Sequence, residues 1–109
     1  MAQTFNRFVT KDIGNSLTDI CTAVTNTSVV VGLLISNPTG TGDVTVDIVF
    51  HTSTDEIMIG NDLVIPYGQS LIVIGWDQKI VMKAGDKIRV QTTVGGKVVD
   101  SILSVMEIS

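Results

Sequence analysis

The run of residues 28–50, SVVVGLLISNPTGTGDVTVDIVF, constrains the fold more than any other part of the chain. Between two serines, residues 29–35 are apolar apart from one glycine, and their valines favour extended backbone. Apolar side chains on both faces are typical of a strand that is covered on both sides. The expected faces are Val29, Val31, Leu33 and Ile35 on one side, and Val30, Gly32 and Leu34 on the other.

The second half of this run, residues 44–51, has the pattern of a half-buried strand. Val44, Val46, Ile48 and Phe50 alternate with Thr45, Asp47, Val49 and His51, which is the period of two that strands show. The linking residues 37–43, NPTGTGD, are dense in turn formers, so we predict an antiparallel hairpin. Such a hairpin indicates a β-sandwich core that needs a second sheet.

The composition describes a single domain with little surface charge. Of 109 residues, 44% are hydrophobic and only 17% are charged, and the mean hydropathy is +0.42. A typical soluble domain has about a quarter charged residues. We therefore expect part of the apolar surface to be buried against copies of the chain or against another protein, as a homo-oligomer (trimer or dimer) or a larger assembly.

The net charge, the length of the apolar runs and the single cysteine disfavour several classes of partner and environment. The net charge of −4 and the scattered basic residues give no footprint for nucleic acid. Residues 1–14 lack the apolar stretch of a signal peptide, and the longest apolar run, residues 29–35, is too short to span a membrane. Cys21 is the single cysteine, which excludes an intramolecular disulfide and fits a reducing compartment. We interpret Cys21 as a small buried hydrophobe rather than a nucleophile.

Strand patterns and turn signals alternate along the rest of the chain, and no window shows helical periodicity. The segment 1–9 reads as an N-terminal arm or an edge strand, and Val94-Gly95-Gly96-Lys97 gives a two-residue hairpin signal. We predict an all-β fold for residues 1–109: a single-domain antiparallel β-sandwich, or jelly roll, of eight or nine strands with essentially no helix. The other predicted strands are residues 17–24, 57–59, 63–65, 70–74, 79–82, 87–93 and 98–108.

No pattern of catalytic or metal-binding residues emerges, so we expect no enzyme activity and no cofactor. His51 is the only histidine. It falls at the end of a predicted strand, where we expect its side chain to be solvated. No second histidine or cysteine lies at zinc-ligand spacing. Asp55, Glu56 and Asp62 leave a surface calcium site open as an alternative, although turn formation explains these residues as well.

Aromatic residues are few, and three of them are candidates for a partner contact. Trp76 lies in a GWDQ turn, where it either caps the end of the sandwich or is an exposed anchor at an interface. For Phe5 and Phe8 in the leading segment the same two alternatives apply: packing onto the sandwich or contact with a partner.

Six segments of the chain resemble small virion structural proteins of tailed bacteriophages, particularly those of cyanobacterial and other marine phages. The resemblance runs over the whole length and rests on apolar strands and glycine turns. Where members of this group often show a VPAG-like turn, this chain has Val24-Thr25-Asn26-Thr27. The matching segments are MAQTFNRFVTKDIG, VVVGLLISNPTG, DVTVDIVF, IPYGQSLIVI, KIVMKAGDKIRVQ and VVDSILSVMEI.

The resemblance implies a β-sandwich module that decorates or cements the head of a phage, bound to the major capsid protein lattice. Such a protein is located in the virion, which is assembled in the host cytoplasm. We then expect Phe5, Arg7 and Phe8 of the leading segment to contact the shell or a neighbour, with Trp76 as the next candidate. A module of the tail, neck or a fibre is the alternative. A carbohydrate-binding attachment module is disfavoured because aromatics make up only 5% of the chain.

Overall fold

The computed structural model describes residues 3–22, 27–38, 42–75, 79–93 and 98–108, and its regular structure over these residues is entirely β-strand. The strand-rich fold follows from the β-branched residues and the turn signals between them. The nine strands are β1 Gln3–Ile13, β2 Thr18–Thr22, β3 Thr27–Ser36, β4 Val44–His51, β5 Glu56–Ile65, β6 Ser70–Ile74, β7 Ile80–Met82, β8 Lys87–Thr92 and β9 Val99–Ile108.

The strands form two antiparallel sheets that pack into a sandwich, which confirms the predicted fold class. Sheet 1 has the order β1-β9-β3-β6, and β7 also pairs with β3, so that β6 and β7 together occupy one strand position. Sheet 2 has the order β2-β8-β4-β5. If β6 and β7 are counted as one strand, the fold has two four-stranded sheets. Neighbouring strands within each sheet come mostly from distant parts of the chain. This is the arrangement of a jelly roll.

Two predicted hairpins are wrong. Strand β3 lies in sheet 1 and β4 in sheet 2, so residues 37–43 carry the chain from one sheet to the other. Likewise β8 lies in sheet 2 and β9 in sheet 1, and the predicted hairpin turn at residues 94–97 lies outside the described residues. In both cases the prediction rested on local turn-forming residues, whereas the pairing of strands is decided by strands that are distant in the chain.

The core lies between the sheets and takes side chains from both. Val30, Leu33 and Ile35 project from β3, and Val46 and Ile48 face them from β4, all essentially inaccessible to solvent. Aliphatic side chains dominate this cluster, with Met82 from β7 and Cys21 from β2. Burial of this kind contributes about 25 cal/mol per Å² of apolar surface, which is the main favourable term for such a fold.

A β-bulge in β3 changes the predicted faces of that strand. The register with β9 shifts between Val30 and Gly32, so the inward positions run Val30, Leu33, Ile35 instead of alternating strictly. Val29 and Leu34 therefore share the outer face, which the alternation had separated. A bulge adds one residue to a strand and reverses the side-chain sequence beyond it.

The leading segment is an edge strand and not a free arm. Gln3 pairs with Ile108, and the register continues unbroken to Thr10 opposite Ser101. Strand β1 is the last strand of sheet 1 on this side. Its side chains are thereby fixed to the two faces of the sheet.

Candidate protein–protein interface

The outer surface of sheet 1 carries two rows of apolar side chains that cross all of its strand positions. Residues paired across neighbouring strands project from the same face of a sheet, so the hydrogen-bonded register defines each row. The first row is Val9, Ile102, Leu34 and Ile72. The second row is Phe5, Met106, Val29 and Val81. We call these eight residues the apolar face.

Much of the apolar face is in contact with solvent. Phe5 is 74% exposed, Val9 58% and Ile102 47%, and Ile72 and Val81 are both more than half exposed. Large apolar side chains scattered singly over a surface are ordinary, but a continuous patch of them marks an interaction site. This patch is the apolar surface that the low fraction of charged residues predicted.

The structure separates the predicted interface residues. Phe5 and Arg7 project from the outer surface of sheet 1, with Arg7 opposite Ser104 between the two rows. Phe8 pairs with the buried Leu103 and packs against the core, so it belongs to the inner face. Trp76 lies outside the described residues. Two of the four residues thus lie on the outer surface of sheet 1. Phe8 is partly buried on the inner face because its position in the strand has the opposite parity.

The outer surface of sheet 2 carries a group of paired charges, and Met58 and Val64 of β5 are also more than half exposed there. Asp19 of β2 accepts a hydrogen bond of 2.7 Å from Arg89 Nε, and Lys87 Nζ lies 3.6 Å from Asp19 Oδ2. Burial alone would raise the pKa of Asp19, but the hydrogen bond and charge of Arg89, together with Lys87, lower it from its ordinary value. Arg89 Nη1 also lies 3.8 Å from Glu56 Oε1. These charges compensate one another within the chain.

His51 lies beside one of the acidic residues that the sequence singled out and far from another. His51 Nδ1 lies 3.3 Å from Glu56 Oε1 at the start of β5, and the ring is about one-third exposed. Asp62 lies six residues further along β5, about 20 Å away at the usual rise of a strand, and its N–H donates to Asp47 Oδ1. Glu56 and Asp62, two of the carboxylates considered for calcium, are therefore not close neighbours. Within the described ranges, no three His, Cys, Asp or Glu side chains are grouped to hold a metal.

Cys21 is a core residue, as expected for its strand. Its side chain is 4% exposed, and burial raises the pKa of its thiol to about 11, with a further contribution from the charge of Glu107. Since the thiolate is the reactive form, Cys21 is held in its inert state at neutral pH.

Most residues of the apolar face were not singled out, although the sequence predicted a strand covered on both sides and a partly buried apolar surface. The segments VVVGLLI, SLIVI and ILSVMEI are apolar at positions of both parities, and this signal was visible. In an antiparallel sandwich each sheet has only one inner face. Apolar residues of the other parity in these strands are therefore the signal of a surface that something outside the domain covers.

Comparison with models of known protein families and with curated protein sequences gave no match. Among solved structures, the chain is similar to one from Bacillus endospore appendages, described as a novel family of disulfide-linked pili. The TM-score is 0.51 with 17% sequence identity, over 97% of this chain and 86% of that one. At this identity the similarity is one of fold.

Two further solved structures gave lower similarity scores. One is a pentameric capsid protein isolated from metagenomic phage sequences, with a TM-score of 0.42, 15% identity and coverage of 92% of this chain and 60% of that one. The other is infectious bursal disease virus, Gt strain, with a TM-score of 0.37, 15% identity and coverage of 96% and 32%. No helix long and apolar enough to cross a membrane occurs in the described part of the chain.

Proposed function

We propose that this chain is a non-enzymatic structural protein of a tailed-bacteriophage virion, and that it decorates the head by binding the major capsid protein lattice. The observation that carries this proposal is the apolar face of sheet 1 on a charge-poor jelly roll. A protein that exposes such a surface is stabilised by joining an assembly. The resemblance of its sequence to small phage virion proteins supplies the setting.

The two sides of the sandwich support a binding role in different ways. The charges of Asp19, Arg89 and Glu56 on sheet 2 are paired with one another within the chain. The apolar face has no such internal compensation, and its burial is favourable by about 25 cal/mol per Å². The packing of the domain does not explain why these apolar side chains are exposed, whereas a role in assembly does.

Decoration would stabilise the head by mass action. A protein that binds the assembled shell and not its free subunits shifts the equilibrium toward the shell. Repetition over a lattice adds avidity, so each contact can be weak. This agrees with a binding surface formed by one face of a small sheet.

The test is the copy number of the chain in purified particles, together with its effect on shells that lack it. Quantitative mass spectrometry of particles is expected to give on the order of hundreds of copies, in a fixed ratio to the major capsid protein. Adding the purified chain to bare shells is expected to raise their melting temperature as its concentration increases. Shells incubated with an unrelated acidic jelly-roll protein of similar size serve as the control.

Other outcomes would redirect or reject the proposal. A copy number of a few to about a dozen would reject decoration and favour a tail, neck or fibre module, because those structures have few repeats. Absence of the chain from purified particles would reject a virion role altogether. Binding to shells without any change in their melting temperature would reject the stabilising role.

A further inference from the structure

Strand β1 is a long and regular edge strand of sheet 1. It has 11 residues, pairs with β9 alone among the described residues, and keeps an unbroken register from Gln3 to Thr10. The outer side of an edge strand presents unpaired N–H and C=O groups to which another strand can pair. Proteins usually protect such an edge by making the strand short or by interrupting it with a bulge, and neither device is present between Gln3 and Thr10.

The other edges of the two sheets are protected in these ways. Strand β2 has five residues, and its register with β8 shifts beside Cys21. Strands β6 and β7, of five and three residues, share one edge of sheet 1. Strand β5 is longer, but its register with β4 shifts at two places. Within the described part of the chain, β1 is therefore the edge best suited to receive another strand.

A groove of about 520 Å³ follows the edge of β1, between the two sheets of the sandwich. It is lined by the consecutive residues 7–10 of β1 and 19–21 of β2, which is the edge strand of sheet 2. Neighbouring residues of a strand point to opposite faces, so a depression on one face is lined by alternate residues. Four consecutive residues of β1 show instead that this groove lies against the backbone at the edge. We call it the edge groove.

We propose that the edge groove binds an extended segment of another polypeptide, which adds to sheet 1 as a strand beside β1 and has a carboxylate where it passes Arg7. The edge groove lies at the side of the sandwich, whereas the apolar face covers the outer surface of sheet 1. Both surfaces can therefore be occupied at the same time. The inference does not depend on the function proposed above.

The backbone of β1 is the first argument that the ligand is a polypeptide. In an antiparallel pair every second residue forms its hydrogen bonds with the neighbouring strand, and the residues between direct their N–H and C=O groups the other way. On β1 these outward groups recur about every 7 Å, which is two residues of a strand. The backbone of an extended peptide has donors and acceptors at the same spacing. In such strand addition the main chain gives affinity and the pockets for alternate side chains give specificity.

The walls of the edge groove determine which side chains fit on the inner side of the added strand. Phe8 of β1 is half-buried and faces the core, and Ile20 and Cys21 of β2 line the opposite wall with exposures of 3% and 4%. A residue of the added strand that lies level with Phe8 points between the two sheets, because paired residues share a face. Apolar side chains are therefore expected at alternate positions of the ligand.

The charges at the edge groove determine the outer side of the added strand. Arg7 is exposed on the outer surface of sheet 1 and forms no ion pair with a described carboxylate. Asp19, on the β2 side, is already paired with Arg89 and Lys87. The charge left without a partner is thus positive, and a carboxylate opposite Arg7 complements it.

A second copy of the chain supplies no such carboxylate through the same edge. Residues 3–10 of β1, QTFNRFVT, include one arginine and no acidic residue. Pairing of β1 with β1 of another copy would add a second positive charge to the edge without neutralising the first. The charge pattern therefore favours an acidic segment of a different protein.

The experiment titrates the isotope-labelled chain with the peptide SVSVEVSVS, blocked at both ends, and follows the amide resonances. Its sequence is the same in both directions, so it presents a central glutamate flanked by valines whichever way it pairs. A dissociation constant on the order of 0.1–1 mM is expected, because a short peptide loses conformational freedom on binding. Resonances of residues 7–10 and 19–21 are expected to shift. At about 90% occupancy, alternate amides of residues 7–10 are expected to exchange with solvent about tenfold more slowly.

A charge exchange tests the contact with Arg7. Arg7→Glu is expected to weaken binding of this peptide roughly three- to tenfold, and the peptide SVSVKVSVS is expected to bind this variant better than it binds the wild-type chain. Lys11→Glu is the matched control, since it makes the same change of charge on the same strand but outside the lining of the edge groove. It is expected to change the dissociation constant less than twofold. Both residues are exposed, and the amide spectrum of each variant reports whether the fold is retained.

Four outcomes would overturn the proposal. The first is the absence of any shift with peptide up to about 2 mM, well above the expected dissociation constant. The second is binding that leaves amide exchange in residues 7–10 unchanged, which would place the peptide on another surface. The third is an equal effect of Arg7→Glu and Lys11→Glu. The fourth is a chain that forms dimers without peptide and already protects these amides, which would assign the edge to a second copy. None of these results bears on the copy number in particles, so the two proposals fail separately.

Discussion

At the scale of single residues, Asn37 joins the connection that follows β3 to the connection between β5 and β6. Its side chain is 1% exposed, and Nδ2 donates to the carbonyl oxygens of Gly42 and Ile65, each at 3.0 Å. Its backbone N–H donates to Gln69 O at 3.0 Å, and its own carbonyl accepts from the N–H of Gly68. An asparagine next to a proline was readable from the sequence as a turn residue. Its role as a link between distant loops was not, because the partners are far away in the chain.

Asn37→Ala is expected to lower the free energy of unfolding by about 2–3 kcal/mol, because the buried carbonyl of Ile65 loses its donor. Urea denaturation measures this change, with an unchanged dependence on denaturant expected if the fold is retained. Asn6→Ala is the control, since the Asn6 side chain is exposed and its bonds lie at the surface. Equal stability of the two variants would contradict the assigned role of Asn37.

At the scale of elements, bulges decide which side chains reach the core. Strand β5 was predicted as two short strands interrupted at Gly60, and it is one strand of ten residues whose register with β4 shifts at this point. Asp62 takes a positive φ of 53° in the irregular stretch, where its N–H is held by Asp47. The prediction that the strand is interrupted after Ile59 therefore located a real local irregularity of the backbone. Their consequence is a bulge inside a strand, because β4 continues to pair on both sides of it.

Gly60→Ala is expected to destabilise the fold by about 1–3 kcal/mol, because the new methyl group would overlap the side chain of Leu63, which packs against the core. Thermal unfolding of the purified variant measures the effect. Gly14→Ala is the matched control, since a Cβ atom there meets nothing within 4 Å. If both variants melt at the wild-type temperature, the close packing at Gly60 is wrong.

At the scale of the whole molecule, the first and last strands hold sheet 1 together. Strand β9 lies between β1 and β3, and it contributes the buried residues Val99, Leu103 and Val105. The pairing of β1 with β9 brings together residues that are separated by nearly the full length of the chain. Sheet 1 is therefore complete only when the last strand is in place, and such long-range pairing makes folding slow.

A chain that ends at residue 93 is expected to be unfolded, because neither β1 nor β3 then has its common neighbour. Circular dichroism and the dispersion of amide resonances measure this. Adding a synthetic peptide of residues 98–109 is expected to restore the spectrum of the full chain, whereas the same peptide with Leu103→Asp is not. A truncated chain that folds by itself would show that sheet 1 does not depend on β9.

The candidate interface could be predicted in part. The low charge and the resemblance to virion proteins pointed to a protein partner, and Phe5 and Arg7 both lie on the outer surface of sheet 1. Phe8 was assigned to the same contact and is instead partly buried against the core, since neighbouring residues of a strand point to opposite faces. Val9, Ile72, Val81 and Ile102 were not predicted because their strands lie far apart in the sequence and meet only in sheet 1.

The sequence by itself determined the fold class and the approximate position of every strand. These are local properties: the period of the side chains, the β-branched residues and the turn formers act over a few positions. The tertiary structure decided which strands pair, where bulges reverse a face, and which side of β3, β6 and β9 is the core. A strand that is apolar on both sides contains no local information about what covers each side, because that depends on its neighbours in space.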